Sequence, residues 1–135
     1  MVNKLRLVEN ISEYYEYIRI LRTHDENVSG FLEQVTITIQ EQEKYMAKFG
    51  KNYYICLLDD EPVGFVGEIN GDIRVCTDPK HKKKGIGKFM INKLIELRPD
   101  TFAKVKNDNI PSINLFKSCK FKITEEKDNM IYFKP

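Results

Sequence analysis

Residues 72–88, Asp-Ile-Arg-Val-Cys-Thr-Asp-Pro-Lys-His-Lys-Lys-Lys-Gly-Ile-Gly-Lys, constrain the fold more than any other stretch of the chain. Residues 72–77 read as a β-strand, and Pro79 has no N–H to continue a ladder. A basic loop follows, and Gly85-Ile-Gly87 then opens an amphipathic helix. Its Ile86, Met90, Leu94 and Leu97 recur at helical spacing, with Phe89 and Ile91 widening the apolar face. A strand that feeds a glycine turn into a helix start aims unpaired backbone N–H groups and the positive end of the helix dipole at one point. Phosphate suits that point. Lys82, Lys83 and Lys84 add positive charge there. A lysine run by itself is a solvated loop; the Gly-x-Gly and the helix behind it make this one a candidate anion site.

The bulk properties set the surroundings. A chain of 135 residues with 41% apolar and 31% charged residues fits one soluble domain, residues 1–135, with a hydrophobic core. No apolar run approaches the roughly 20 residues of a membrane helix, and the first residues lack the apolar core of a signal peptide. The expectation is a cytoplasmic protein with no membrane partner. A net charge of +2 is too small to point to nucleic acid. Cys56, Cys76 and Cys119 lack metal-ligand spacing, and His24 and His81 are the only histidines. Reduced thiols and no metal site are expected.

Around the central segment the predicted element order is β-α-α-β-β-β-α-β-α-β-β, a mixed α/β (α+β) sheet with helices on its faces. Residues 4–8 alternate as a first strand. Asn10 with Glu13 reads as a capping box for a helix to about residue 21, and Thr38 with Glu41 repeats the signature before a second helix. Gly50 reads as the residue just past that helix. Residues 22–36 read as a loop or broken helix. Strands are predicted over 53–58 and 63–69 around a turn at 59–62, and Asn70-Gly71 is a strong hairpin signal. Pro99 ends the glycine-led helix, and 101–106 reads as a strand. Asn109 caps a helix that tolerates Pro111 in its first turn, and 121–124 with 130–133 closes the chain as a hairpin.

Two motifs resemble one family. Lys82-Lys-Lys-Gly85-Ile-Gly87 is similar to the acetyl-CoA signature Arg/Gln-x-x-Gly-x-Gly/Ala of the GNAT superfamily of N-acetyltransferases. Asn109-Ile-Pro-Ser112-Ile-Asn-Leu115-Phe116-Lys-Ser-Cys-Lys-Phe121 is similar to the family's Asn-x-x-Ala-x-x-Leu-Tyr-x-x-x-Gly-Phe. With the element order, the resemblance spans residues 52–133. It implies a mostly antiparallel sheet flanked by helices, whose splayed central strands, the fourth and fifth, admit acetyl-CoA. It further implies that backbone groups of Val75, Cys76 and Thr77 pair with the pantetheine arm. The amides of Lys83, Lys84, Gly85, Ile86, Gly87 and Lys88, with Lys82 beside them, would hold the pyrophosphate. Asn109, Ser112 and Phe116 would line the other side. Three positions depart from the pattern. Lys82 replaces Arg or Gln and keeps the charge. Lys120 replaces a glycine and must supply a positive φ. Phe116 replaces a tyrosine that in many relatives protonates the thiolate, a task left to Tyr53, Tyr54, Tyr132 or water, or absent in a poor catalyst.

Acyl transfer to an amine needs an unprotonated nitrogen, a polarised thioester carbonyl and a proton for sulfur. Asp72, at the start of the cofactor-facing strand, is one candidate base; the alternative is an aspartate that closes the hairpin. Glu68, across the hairpin, is its rival. Cys76 has no histidine partner in sight and reads as a small buried residue rather than a nucleophile. Cys119 reads as core, and His81 as loop surface or a phosphate contact. The resemblance places the acceptor site in residues 22–39, where Arg22 and Asn27 are candidate binding residues beside His24, Asp25 and Glu26; a solvated loop is the alternative. The leading expectation is transfer of an acetyl group to a primary amine of a small molecule of amino-sugar, amino-acid or polyamine type. Three alternatives stand beside it: an acceptor amine on a protein, a non-catalytic acyl-CoA-binding module, and a nucleic-acid binder using the lysine loop. Pairing of two chains as a homodimer stays open.

Overall fold

Asn70 and Gly71 turn the chain with both residues at positive φ, 54° and 87°, the geometry whose twist matches antiparallel strands. This turn joins β3 (Glu61–Ile69) to β4 (Asp72–Thr77). The computed structural model describes residues 4–23, 37–81 and 85–135. Asp59-Asp60 makes a second tight turn of the same kind, joining β2 (Tyr53–Leu58) to β3. That turn starts β3 at Glu61, two residues before the expected boundary. β1 (Leu5–Glu9) adds to β2, so one sheet runs β1-β2-β3-β4, antiparallel throughout. The other sheet runs β5-β7-β6, from β5 (Ala103–Lys106), β6 (Lys122–Lys127) and β7 (Met130–Lys134). Where one continuous sheet was expected, the two are joined, among the described residues, by a single parallel bridge between Asp72 and Phe102. β4 and β5 are held at that end and part beyond it, the splay that the sequence resemblance implied.

Helices cover both faces. α1 (Tyr15–Thr23) and α2 (Ile39–Phe49) lie on one side, where Ile18, Leu21 and Met46 pack on Ile55, Phe65 and Cys76. α3 (Ile86–Leu97) and α4 (Ile110–Ser118) cover the other, where Met90, Ile91 and Leu94 pack on Val63, Val66 and Ile73. The period of two along each strand divides the core in this way: Ile55 and Cys56 are neighbours in sequence and belong to opposite faces. No helix among the described residues is long and apolar enough to cross a membrane.

The predicted caps divide by the reach of their partners. Thr38 accepts from the Glu41 N–H at 3.1 Å, and Asn109 accepts from the Ser112 N–H at 3.2 Å, both as expected. Asn10 caps nothing: its amide donates to the Gly50 carbonyl at 3.2 Å, tying the end of β1 to the end of α2. Gly50 keeps a right-handed conformation (φ −54°) and leads into a 3-10 turn, Gly50–Asn52, so it is not the left-handed stop that was expected. Lys120 does adopt the left-handed conformation, at φ 66°. It closes α4 as a Schellman motif: Phe121 N donates to Phe116 O (3.1 Å) and Lys120 N to Lys117 O (3.0 Å).

One buried carboxylate clamps the hairpin. Glu68 accepts from Gly71 N (2.7 Å), Asn52 Nδ2 (3.2 Å) and Arg98 Nη1 (2.7 Å), linking the β3–β4 turn to the start of β2 and the end of α3.

Two outcomes are expected in urea unfolding. Lys120→Gly raises stability by about 0.5 kcal/mol, because relief of left-handed strain exceeds the added unfolded-state entropy, and Lys120→Val lowers it by about 1 kcal/mol. Glu68→Ala lowers it by about 2 kcal/mol, since an Arg and a backbone N–H lose their acceptor together. A Glu68→Ala midpoint equal to wild type would show that the clamp carries no stability.

Candidate active site

The ladder fixes which backbone groups of β4 are spoken for. Ile73 N donates outward to Phe102 O at 2.9 Å, while Asp78 N donates the other way, to Val63 O on β3, at 2.8 Å. In an antiparallel strand these directions alternate residue by residue. Asp72, Arg74 and Cys76 therefore spend their N–H and C=O groups on β3, opposite Ile69, Gly67 and Phe65. Ile73, Val75 and Thr77 turn theirs toward β5. Ile73 finds Phe102, but at Val75 and Thr77 the strands have parted, and among the described residues no strand lies opposite. Backbone groups in such a place call for partners. An extended ligand with amide groups supplies them by lying along the edge like an added strand. Of the three backbones expected to serve here, two face the gap; that of Cys76 is turned to Phe65.

The open end of the gap meets the start of α3. Gly85 precedes that helix at φ 75°, and no side chain caps it. The first-turn N–H groups, at Ile86, Gly87 and Lys88, thus have no intrahelical acceptor and, among the described residues, no side-chain cap from the N-cap position. A Cβ at Gly87 would come within 3.1 Å of Leu115 and 3.6 Å of Thr77 Oγ1, so this helix start lies against both β4 and α4. Unclaimed strand edge and uncapped helix are one continuous surface. Lys82, Lys83 and Lys84 lie outside the described residues, as does Asn27.

On α4 the expected lining divides. Asn109 and half-buried Ser112 stand at its start, with Asn109 occupied as the cap. Phe116 is only 3% exposed and stacks on Phe133 (centroids 5.7 Å) beside Phe121 (5.2 Å). Its ring belongs to the core instead of the gap surface, because without a hydroxyl nothing draws it out of apolar company.

Side chains of β4 separate by the same alternation. Ile73 packs with the α3 side and Cys76 with the α1–α2 side, so Asp72 and Arg74 share the face of Cys76. Asp72 Oδ2 is 3.4 Å from Arg74 Nη2. Burial pushes the Asp72 carboxyl above the ordinary carboxylate range, against the pull of Arg74 and Lys104. Glu68 pairs across the ladder with Ile73, on the opposite face. The structure does not bring the two candidate bases together, and Glu68 spends its oxygens on the clamp.

Above Asp72 and Arg74 on this face lies an aromatic pair. The Tyr45 and Tyr53 hydroxyls are 2.6 Å apart, and the Arg22 guanidinium stands 5.1 Å over the Tyr45 ring. Burial, then Tyr45, pushes the Tyr53 hydroxyl far up, with Arg22 and Arg74 opposing. Tyr17 of α1 donates to Asp78 just past β4 at 3.2 Å. Tyr54 lies under Arg98, and Tyr132 between Lys104 and Lys127. Arg74 and Tyr17 were missed in the sequence. The signal for Arg74 was present, as a cation mid-strand in phase with Asp72; Tyr17 gave none beyond a helical apolar face. No group of potential metal ligands occurs among the described residues.

The arrangement offers an anion site, an edge for an extended amide-bearing ligand, and a carboxylate on the adjoining face. The comparisons with known proteins bear on the family and the fold. Residues 12–121 match the acetyltransferase (GNAT) family. No curated protein matches the chain. Among solved structures, a domain from Methanocaldococcus jannaschii DSM 2661 superposes with a TM-score of 0.82 at 19% identity, covering 98% of this chain and 97% of that one. Spermidine N-acetyltransferase from Vibrio cholerae, in complex with CoA and spermine, gives 0.78 at 15% identity, covering 96% and 92%. Ribosomal-protein-alanine N-acetyltransferase from Brucella melitensis gives 0.77 at 12%, covering 95% and 97%. At such identities the likeness is one of fold; the family rests on the sequence match. The chain belongs to the acetyltransferase (GNAT) family.

Proposed function

We propose that this GNAT-family chain transfers an acetyl group from acetyl-CoA to a primary amine of a small molecule. The observation that carries the reading is the continuous surface from the β4 edge at Val75 and Thr77, which no described strand pairs, to the start of α3, where Gly85 provides no side-chain cap. Bound acetyl-CoA supplies the acyl group as a thioester: an N–C bond forms as the C–S bond breaks, the amine loses a proton and sulfur gains one. Val75 and Thr77 would hold the amide-bearing arm along the gap. The N–H groups of Ile86, Gly87 and Lys88, and the helix dipole behind them, would hold the phosphates. Lys82, Lys83 and Lys84 would add charge, and Asn109 and Ser112 would bound the far side.

Asp72 is the base in this reading, directly or through water. Burial already inclines its carboxyl to take up a proton. It stands on the face away from α3, so the amine enters from the α1–α2 side while the nucleotide lies by α3. Phe116 gives no proton. Thiols ionise near pH 8.5, so a departing thiolate needs little help, and water serves. The buried ring also favours a second reading, a module that binds acyl-CoA without turnover.

Thiol release measured with a panel of primary amines separates the two. Turnover is expected, together with loss of acetyl-CoA binding in Gly85→Glu, which sets a carboxylate in the anion site. Tight acetyl-CoA binding with no acetylated amine would favour the module. Asp72→Asn should lower kcat/KM about 100-fold. With its pKa raised, Asp72 needs a higher pH than an ordinary carboxylate before it can act. Wild-type kcat/KM should therefore climb through a limb above the usual carboxylate range, about pH 4. Asp72→Asn should lose that limb and keep the one set by the amine itself. Matching profiles would remove Asp72 from the role.

A further inference from the structure

The face where the amine enters is rich in cations that the protein leaves incompletely paired. Arg74 sits mid-strand in the row Asp72–Arg74–Cys76, and its one ion pair among the described residues is the 3.4 Å contact from Nη2 to Asp72. Its Nε is buried with no hydrogen-bond partner in the described structure. Arg22 reaches the same place from α1: its guanidinium lies over Tyr45, and both arginines act on the Tyr53 hydroxyl. No carboxylate pairs with Arg22 among the described residues. From β5, Lys104 also acts on Asp72. Among the described residues, the acidic groups facing them are Asp72 itself and Asp78, which Tyr17 holds.

A guanidinium binds a carboxylate or phosphate best through two parallel N–H groups. Arg74 has committed Nη2 to Asp72 and keeps Nε over, and a buried donor without an acceptor is costly to the fold. The side chain as a whole is 41% exposed, so an anionic ligand can reach the guanidinium and, by turning it, give Nε an acceptor too. A polyamine would instead bring several positive charges against Arg22, Arg74 and Lys104, with only Asp72 and the Tyr17-held Asp78, among the described residues, to receive them.

We propose that the acceptor is an amine that also carries an anionic group, a carboxylate or a phosphate, and that Arg74, assisted by Arg22, selects it. This rests on the acetyl-transfer reading above. The ammonium end goes to Asp72, where it loses its proton, and the anionic end goes to the guanidinium of Arg74, whose side chain is 41% exposed. Aromatic Tyr45 and Tyr53 wall the site.

The test uses the full chain and four amines: β-alanine, 2-aminoethyl phosphate, propylamine and spermidine. Kinetics follow thiol release, and calorimetry follows binding of each amine to the protein saturated with CoA. One of the two anionic amines should exceed propylamine in kcat/KM by about tenfold or more, the scale of a charge-assisted contact, and the better of the two tells carboxylate from phosphate. Arg74→Gln should collapse that ratio through KM, and Arg74→Lys should restore part of it. Acetyl-CoA should still titrate into Arg74→Gln as into wild type, which shows a folded protein with its cofactor site intact. Preference for spermidine or propylamine would overturn the proposal, as would equal loss toward all four amines in Arg74→Gln. If acetyl-CoA binds but no amine is acetylated, the transfer reading fails. Calorimetry then decides the anion claim: binding of an anionic amine that Arg74→Gln abolishes upholds it, and no binding sinks it.

Discussion

Two backbone hydrogen bonds, Ile73 N to Phe102 O and Phe102 N to Gly71 O, carry the ladder from one sheet to the other. They lie at the Asn70-Gly71 end of β4, and the pairing goes no further among the described residues. Had the bridge extended to Thr77, the chain would have one closed sheet and no gap. Because it stops, Val75 and Thr77 have, among the described residues, no strand to pair with on that side. The rest of the site depends on that interruption, since α3 begins beside the open end and α4 closes in on Gly87.

The two-residue period of β4 then assigns the work. Odd positions give their backbone to the gap and their side chains to the α3 side. Even positions give their backbone to β3 and their side chains to the α1–α2 side. In the proposed reading, a ligand in the gap and an acceptor on the α1–α2 side would meet at one strand from different directions. Asp72 and Arg74 stand on the α1–α2 side, while Glu68, only four residues from Asp72 in the chain, faces away and holds the hairpin to Arg98.

What could be read from the sequence was local chemistry. Asn70-Gly71, Thr38 with Glu41, and Asn109 with Ser112 each act within a few residues, and each does in the structure what its spacing predicts. The positive φ of Lys120 was legible for the same reason, since it follows a helix that must stop before Phe121. Asn10 misled because its partner, Gly50, is 40 residues away, and a side chain with a better distant acceptor has no need to cap. Glu68 looked like a candidate base for a related reason: Arg98, 30 residues on, does not show in its neighbourhood. Phe116 stands at a motif position and yet lies in the core, since the aromatic stack with Phe133 forms only once the last strand is in place. The open edge of β4 was legible only through the family resemblance, not from the residues themselves. It is a property of where pairing ends, which no residue type encodes.

The most direct measurement follows the backbone amides of the isotopically labelled protein by NMR as acetyl-CoA is added. The amides of Val75 and Thr77 should shift and become slow to exchange with solvent, together with those of Ile86, Gly87 and Lys88. Ile73, already bonded to Phe102, should be protected before and after. Binding that leaves Val75 and Thr77 in fast exchange would contradict the account, for the ligand would then lie elsewhere than in the parted strands.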